Sequence, residues 1–181
     1  LYPDTYFFSP GSKPKYVLNH LISMHQSLWT ETLKKRAKFL NMSQHEVVTL
    51  ASIIEGEAIY DSERAKISGV YHNRLKKGMK LQADPTIQYI IPDSPRRLLN
   101  RDLKIKSPYN TYRYKGLPPS PITMPDISSI NAVLNAEQHR YLYFVANPKN
   151  PGYHLFSKNA MEHNKNKKIY TNWLDRNRVY R

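Results

Sequence analysis

The chain contains no cysteine, only six glycines in 181 residues, and half as many acidic as basic residues. Without cysteine there is no disulfide and no thiolate metal site. No glycine stands in a G-x-S-x-G, Walker A or G-x-G-x-x-G pattern, which disfavours a serine-hydrolase elbow, a P-loop and a dinucleotide fold. The histidines never fall at H-x-x-x-H or H-E-x-x-H spacing, so a helical zinc site has no support. No apolar run approaches the roughly 18 residues that span a bilayer. No signal peptide is visible either. The chain opens on "LYPDTYFFSPGSKP" without an initiator methionine, so it reads as a piece of something longer, with any membrane anchor upstream.

What the chain does have is positive charge: 28 Lys and Arg against 14 Asp and Glu, a formal +14. A field of that sign attracts polyanions. Nucleic acid, anionic glycans and membrane surfaces all qualify, and charge alone does not choose among them. Apolar residues make up 40% of the chain, and its length suits one domain with a sizeable core.

Periodicity predicts the elements. Residues 1–15 read as an extended loop. Val17, Leu21, Met24 and Leu28 recur at helical spacing and predict one helix from Tyr16 to Phe39, ended by Asn41. "SQHE" (43–46) is a capping box that opens a second helix running to about Ala58, with Val47, Leu50, Ala51, Ile54 and Ala58 in one stripe. A third helix is capped by Asp61 or Ser62 and closed by Gly78; Ile67, Val70, Tyr71, Arg74 and Leu75 share its face. Asp84 before Pro85 predicts an N-cap and a short helix. Residues 92–125 hold seven prolines and predict turns and extended segments, with a strand before Gly116. Asp126 caps a helix carrying Ile130, Val133 and Leu134. "YLYFVAN" (141–147) and "GYHLFS" (152–157) form a hairpin. A last helix over about 159–178 buries Met161, Ile169, Trp173 and Leu174. The fold class is α+β: N-terminal helices, a small antiparallel sheet, then a C-terminal helix.

The acids Glu55 and Glu57 stand two apart at the end of the second helix. At 100° per residue they lie roughly 80° to either side of the apolar stripe. They cannot face one substrate together unless the helix breaks at Gly56. Each alone borders the apolar face, where partial burial raises a carboxyl pKa toward the range of a general acid. The alternative for each is a solvated acid at a helix end. Asp84 is a cap or an acid beside a site, and Arg74 is a salt-bridge residue or a substrate clamp. Tyr109, Tyr112 and Tyr114 either pack the Pro-rich segment or form a stacking wall for a sugar ring or a base. His154, in the alternating "YHLF", reads as a strand residue satisfied by a neighbour.

Six blocks in order carry a resemblance that runs almost end to end: "YPDTY", "LASIIEGEA", "SERAKISGVYHNRLKKGMKLQADPT", "YNTYRYKGLPPSPI", "YLYFVAN" and "HLFSKNAMEHN". With them the chain resembles the endolytic murein transglycosylases, the YceG-like proteins. The resemblance implies a single catalytic domain over 1–181. It implies cleavage inside nascent peptidoglycan strands, between MurNAc and GlcNAc. The MurNAc C6 hydroxyl displaces the glycosidic oxygen and leaves a 1,6-anhydroMurNAc end. The first acid of the block maps onto Glu55 as the catalyst, and Glu57, Arg74, Gln82, Asp84, Asn110 and Tyr112 map onto substrate-binding positions. Gly56 stands where the family often has lysine, and Ser120 replaces a common glycine. No cofactor or metal is implied. The implied partners are glycan strands and the cell-wall synthesis machinery, not nucleic acid. The implied location is the plasma (inner) membrane, single-pass, with the catalytic domain on the extracytoplasmic side. A basic, non-enzymatic polyanion-binding module is the alternative reading of the charge.

Overall fold

The apolar rhythm predicted as one helix over Tyr16–Phe39 is interrupted. The structure, a computed structural model, describes residues 3–92, 94–96 and 98–177. It divides this stretch into α1 (Pro14–Leu28) and α2 (Glu31–Phe39). Trp29 leaves the helical path to enter the core, where it is 3% exposed. Thr30 then caps the new start, its hydroxyl accepting from the Leu33 N–H at 3.3 Å. Burying an indole outweighs the hydrogen bonds lost at the break. α1 buries none of its residues. Asn41 ends α2 in the left-handed conformation, with φ +54°.

The predicted capping box opens α3 (Gln44–Glu57): the Ser43 hydroxyl accepts from the Glu46 N–H and the Glu46 carboxylate accepts from the Ser43 N–H. α3 is the central helix. Beyond the predicted stripe it also buries Thr49, Ser52 and Ile53, because α2, α4, α5 and α6 surround it. α4 (Asp61–Lys76) starts one residue earlier than predicted. Neither Asp61 nor Ser62 caps it; Tyr60 occupies the cap position without a side-chain bond. Its end follows prediction: Gly78 takes φ +62°, the Gly78 N–H donates to the Leu75 carbonyl and the Met79 N–H to the Arg74 carbonyl. Ile67, Val70 and Tyr71 of α4 join Val47, Leu50 and Ile54 of α3 in the buried interior.

The short helix α5 (Asp84–Gln88) is present, but Ala83 is its N-cap and Asp84 is its first residue. Residues 92–125 contain no strand among those described; the one regular element is a 3-10 turn, Asp102–Lys104. Side chains hold this segment where a sheet ladder was expected. The Asn110 amide donates to the Leu103 and Ile105 carbonyls and accepts from the Tyr112 N–H. Thr111 ties the segment to the start of α5 by accepting from the Ala83 N–H and sharing a hydrogen bond with Thr86.

Asp126 caps α6 (Ile127–Leu134) as predicted. The hairpin is shorter than its sequence signal: β1 (Tyr143–Ala146) pairs antiparallel with β2 (His154–Ser157), Tyr143 opposite Ser157 and Ala146 opposite His154. Asn159 caps α7 (Ala160–Arg176). Of the four residues expected to bury there, only Leu174 does; Met161, Ile169 and Trp173 are exposed, because among the described residues the two-stranded hairpin is the main element packed against this helix. The predicted last residue, Arg178, lies outside the described residues. No helix among the described residues is long and apolar enough to cross a membrane.

Candidate active site

α3 continues unbroken through Gly56, so the two glutamates separate as the helical angles require. Glu55 turns toward α4 and α6. One oxygen of its carboxylate accepts from Arg64 Nη1 at 2.6 Å, from the Ser129 hydroxyl at 2.7 Å and from the Asp126 N–H at 3.2 Å. Burial alone would raise its pKa. The three donors and the Arg64 charge outweigh that and hold it below the ordinary carboxyl value of 4.5. The expectation of a raised pKa at Glu55 is therefore reversed: an apolar flank was anticipated, and a buried guanidinium stands there instead. Arg64 also bonds Asp61 at 2.8 Å, so it links the end of α3 to the starts of α4 and α6.

Glu57 faces the other way, toward α5. Its carboxylate accepts from the Tyr71 hydroxyl at 2.7 Å. Burial pushes its pKa up to about 7, and the negative charge of Asp84 adds to the rise; the Tyr71 hydroxyl, the Arg74 charge and the Asp84 N–H offset part of it. Asp84 itself is exposed and accepts a hydrogen bond from the Tyr112 hydroxyl. Burial, together with the neighbouring carboxylates, raises the pKa of both Tyr71 and Tyr112, so both phenols remain donors.

Gly56 makes this juxtaposition possible. A Cβ there would come within 2.7 Å of the Pro85 ring, so the absence of a side chain lets the end of α3 lie against α5. Glu57 and Asp84 thus line one cleft of about 470 Å³, with Gly56, Pro85, Tyr89 and Ile122. The Ile122 N–H is anchored by the buried Ser52 hydroxyl, which fixes the opposite wall. A carboxyl raised to about 7 beside a second acidic side chain in a partly apolar cleft suits proton transfer to a leaving oxygen and stabilisation of positive charge developing beside it.

The other residues singled out from sequence do not meet there. Arg74 is buried behind the site and donates to the Leu81 and Leu142 carbonyls, both at 2.6 Å. Gln82 is exposed, takes φ +49° and donates its N–H to the Thr111 carbonyl. Asn110 is fully enclosed, so its side chain serves the loop and has no surface to offer a ligand. Asn110→Ala leaves two half-buried carbonyls and one N–H without their side-chain partner, and should lower stability by about 2 kcal/mol in urea unfolding. A higher KM with unchanged stability would instead mark it as a substrate contact.

No local pattern in the sequence marks Arg64, Tyr71, Ser129 or Tyr89 for the site. Tyr71 was placed on a core face, and only its hydroxyl at the boundary reveals a second role. A larger groove of about 780 Å³ lies at the opposite end of α3. Its three histidines each bond a backbone carbonyl: His45 to Pro119, His72 to Val133 and His139 to Lys66. They brace the fold. His154 pairs with Glu63 at 2.7 Å, as its strand pattern suggested. Among the described residues no cluster of three or more His, Asp or Glu side chains is arranged to hold a metal.

Comparison with known proteins gives one consistent result. Residues 1–169 match the model of the YceG-like family. The endolytic murein transglycosylase of Bacillus subtilis is 42% identical over 94% of this chain and 47% of its own length. That of Streptococcus pneumoniae is 29% identical over 92% of this chain and 31% of its own. A crystal structure of a YceG-like protein from Listeria monocytogenes superposes with a TM-score of 0.80 at 37% identity, covering 91% of this chain and 53% of that one. The chain therefore spans about half the length, or less, of these relatives.

Proposed function

The chain belongs to the YceG-like family, and from that premise we propose that it is the catalytic part of a peptidoglycan lytic transglycosylase, with Glu57 as the acid and base. The name shared by its relatives supports the reaction class. The single observation that carries the site is the Glu57 carboxyl, raised to about 7 in a cleft it shares with Asp84.

The chemistry runs in two proton steps. Glu57 in its acid form donates its proton to the glycosidic oxygen as the C1–O bond of MurNAc breaks. The Asp84 carboxylate, held by Tyr112, stabilises the positive charge that develops on the ring. The Glu57 carboxylate then removes the proton from the MurNAc C6 hydroxyl as O6 bonds to C1. The proton returns to Glu57, no water is consumed, and the product is a 1,6-anhydro end. An ordinary glycosidase needs its second carboxylate as nucleophile or as base for water; here the substrate's own hydroxyl closes the ring. Glu55, ionised and saturated by donors, is assigned the task of joining helices. Stem-peptide carboxylates make the substrate anionic, which suits a chain of formal charge +14. This substrate goes with an extracytoplasmic position at the plasma membrane, close to the cell-wall synthesis machinery.

Mass spectrometry of muropeptides after digestion tests the reaction: anhydro ends are expected, and reducing ends would mean hydrolysis. The pH profile tests the acid. A catalytic group that must begin protonated loses activity as pH rises through its pKa, so kcat/KM should be flat below about 7 and fall about tenfold per unit above it. A fall that begins below pH 4.5 would point to Glu55, whose carboxyl is held below that value.

A further inference from the structure

The cleft holds one aromatic ring among the described residues that line it, Tyr89. It is half exposed, an unusual position for a tyrosine whose neighbours on α5, Thr86 and Ile87, are fully buried. The ring is not loose. It leans on Tyr109, with centroids 4.8 Å apart at 49°. Tyr109 packs against the core and shares a 2.6 Å hydrogen bond with the Ser120 hydroxyl. Tyr89 also ends α5, with its N–H donating to the Pro85 carbonyl. The backbone, the second ring and the hydroxyl pair therefore fix one aromatic surface at the edge of the cleft.

Asp84 begins α5 and Tyr89 follows its last residue, about 7.5 Å further along the helix axis. The carboxyls of Glu57 and Asp84 lie in the same cleft as this ring. A ligand that satisfies both has polar groups on one side and an apolar C–H face on another, which describes a pyranose. The electron-rich face of an aromatic ring attracts such C–H groups. Neither Tyr112 nor Tyr114 is among the residues that line the cleft, so neither supplies this surface.

We infer that Tyr89, backed by Tyr109, is the stacking platform for the sugar unit next to the bond that is cleaved. The inference rests on the proposed reaction and adds a residue that fixes where the strand sits. Tyr89 acts by holding the strand in register with Glu57, not by transferring a proton.

The test uses the Glu57→Gln protein, which leaves strands intact, and uncrosslinked glycan strands bearing stem peptides as the probe. Tyr89→Ala is expected to weaken binding about tenfold, equivalent to about 1.4 kcal/mol, while Tyr89→Phe and Tyr89→Trp stay within about twofold because an aromatic face remains. Adding strands to the Tyr89→Trp protein should shift indole emission beyond any change from Trp29 and Trp173 in the Glu57→Gln parent. In the active protein, Tyr89→Ala should raise KM more than it lowers kcat. Unchanged affinity in Tyr89→Ala would overturn the platform and leave the reaction standing. Equal losses in Tyr89→Ala and Tyr89→Phe would also overturn it, because the hydroxyl would then be the contact. If the Glu57→Gln protein binds no strands and the native chain releases no anhydro ends, the reaction fails and the platform falls with it.

Discussion

Glu57→Gln should reduce release of anhydro ends by about 10²–10⁴-fold, while Glu55→Gln should keep activity within about tenfold of the native chain. The two residues are only two apart, but their surroundings differ in kind. Glu55 receives three donors, one of them the Arg64 guanidinium, and its carboxyl is held below 4.5. It gives up a proton too readily to be an acid near neutrality. Glu57 has the Tyr71 phenol and the Asp84 N–H as neutral donors and an acidic neighbour, and burial sets its pKa at about 7. Quantifying anhydro ends for both variants at pH 6 decides between them, and loss of product in Glu55→Gln alone would reverse the assignment.

The same substitution has a stability signature. The folded pKa of Glu57 is above its unfolded value, so its favourable contribution is complete below about 4.5 and is lost as pH rises through about 7. Glutamine does not titrate. Relative to the native chain, Glu57→Gln should therefore gain about 2 kcal/mol between pH 4 and pH 8. This is less than the full shift implies, because the side chain keeps some contact with water. Urea unfolding at the two pH values measures it. An increase in activity from Gln at any pH is not expected, so function and stability should move in opposite directions at this position.

The second large effect concerns Arg64. Arg64→Met should cost about 3 kcal/mol at pH 7 and less in acid. Arg64 is 9% exposed, and its guanidinium bonds Glu55, Asp61 and Ser129 at once. Its removal leaves Glu55 without its charged partner at the point where α3, α4 and α6 meet. Because the Glu55 pKa is depressed in the folded state, the stability it contributes is present above about 4.5 and is lost as pH falls below that. The gap between the native chain and the variant should therefore narrow as pH drops from 7 toward 4. A constant gap would mean that the lost packing of the side chain, and not its charge, sets the cost.

The legible parts of this chain are those written in local rules. The Ser43–Glu46 box, the Gly78 stop, the Asp126 cap and the hairpin are each dictated by a few neighbouring residues, and each is present. The angular separation of Glu55 and Glu57 also follows from the helix alone. The break at Trp29 did not show, because nothing in the local pattern says that this one side chain leaves the helix for the core. The turns and extended segments over 92–125 follow from its prolines, but the strand expected before Gly116 is absent, because Asn110 and Thr111 supply through side chains the bonds that a strand would take from a ladder.

The choice between the two glutamates belongs to the tertiary structure. By itself the sequence determined that two carboxyls stand at the end of a buried helix, pointing to different sides. It did not determine what each would meet. Arg64 comes from α4 and Ser129 from α6; Asp84 comes from α5, brought close because Gly56 has no side chain to hold Pro85 away. A carboxyl's pKa is set by its distance to charges, donors and water, and those distances exist only once the helices have packed.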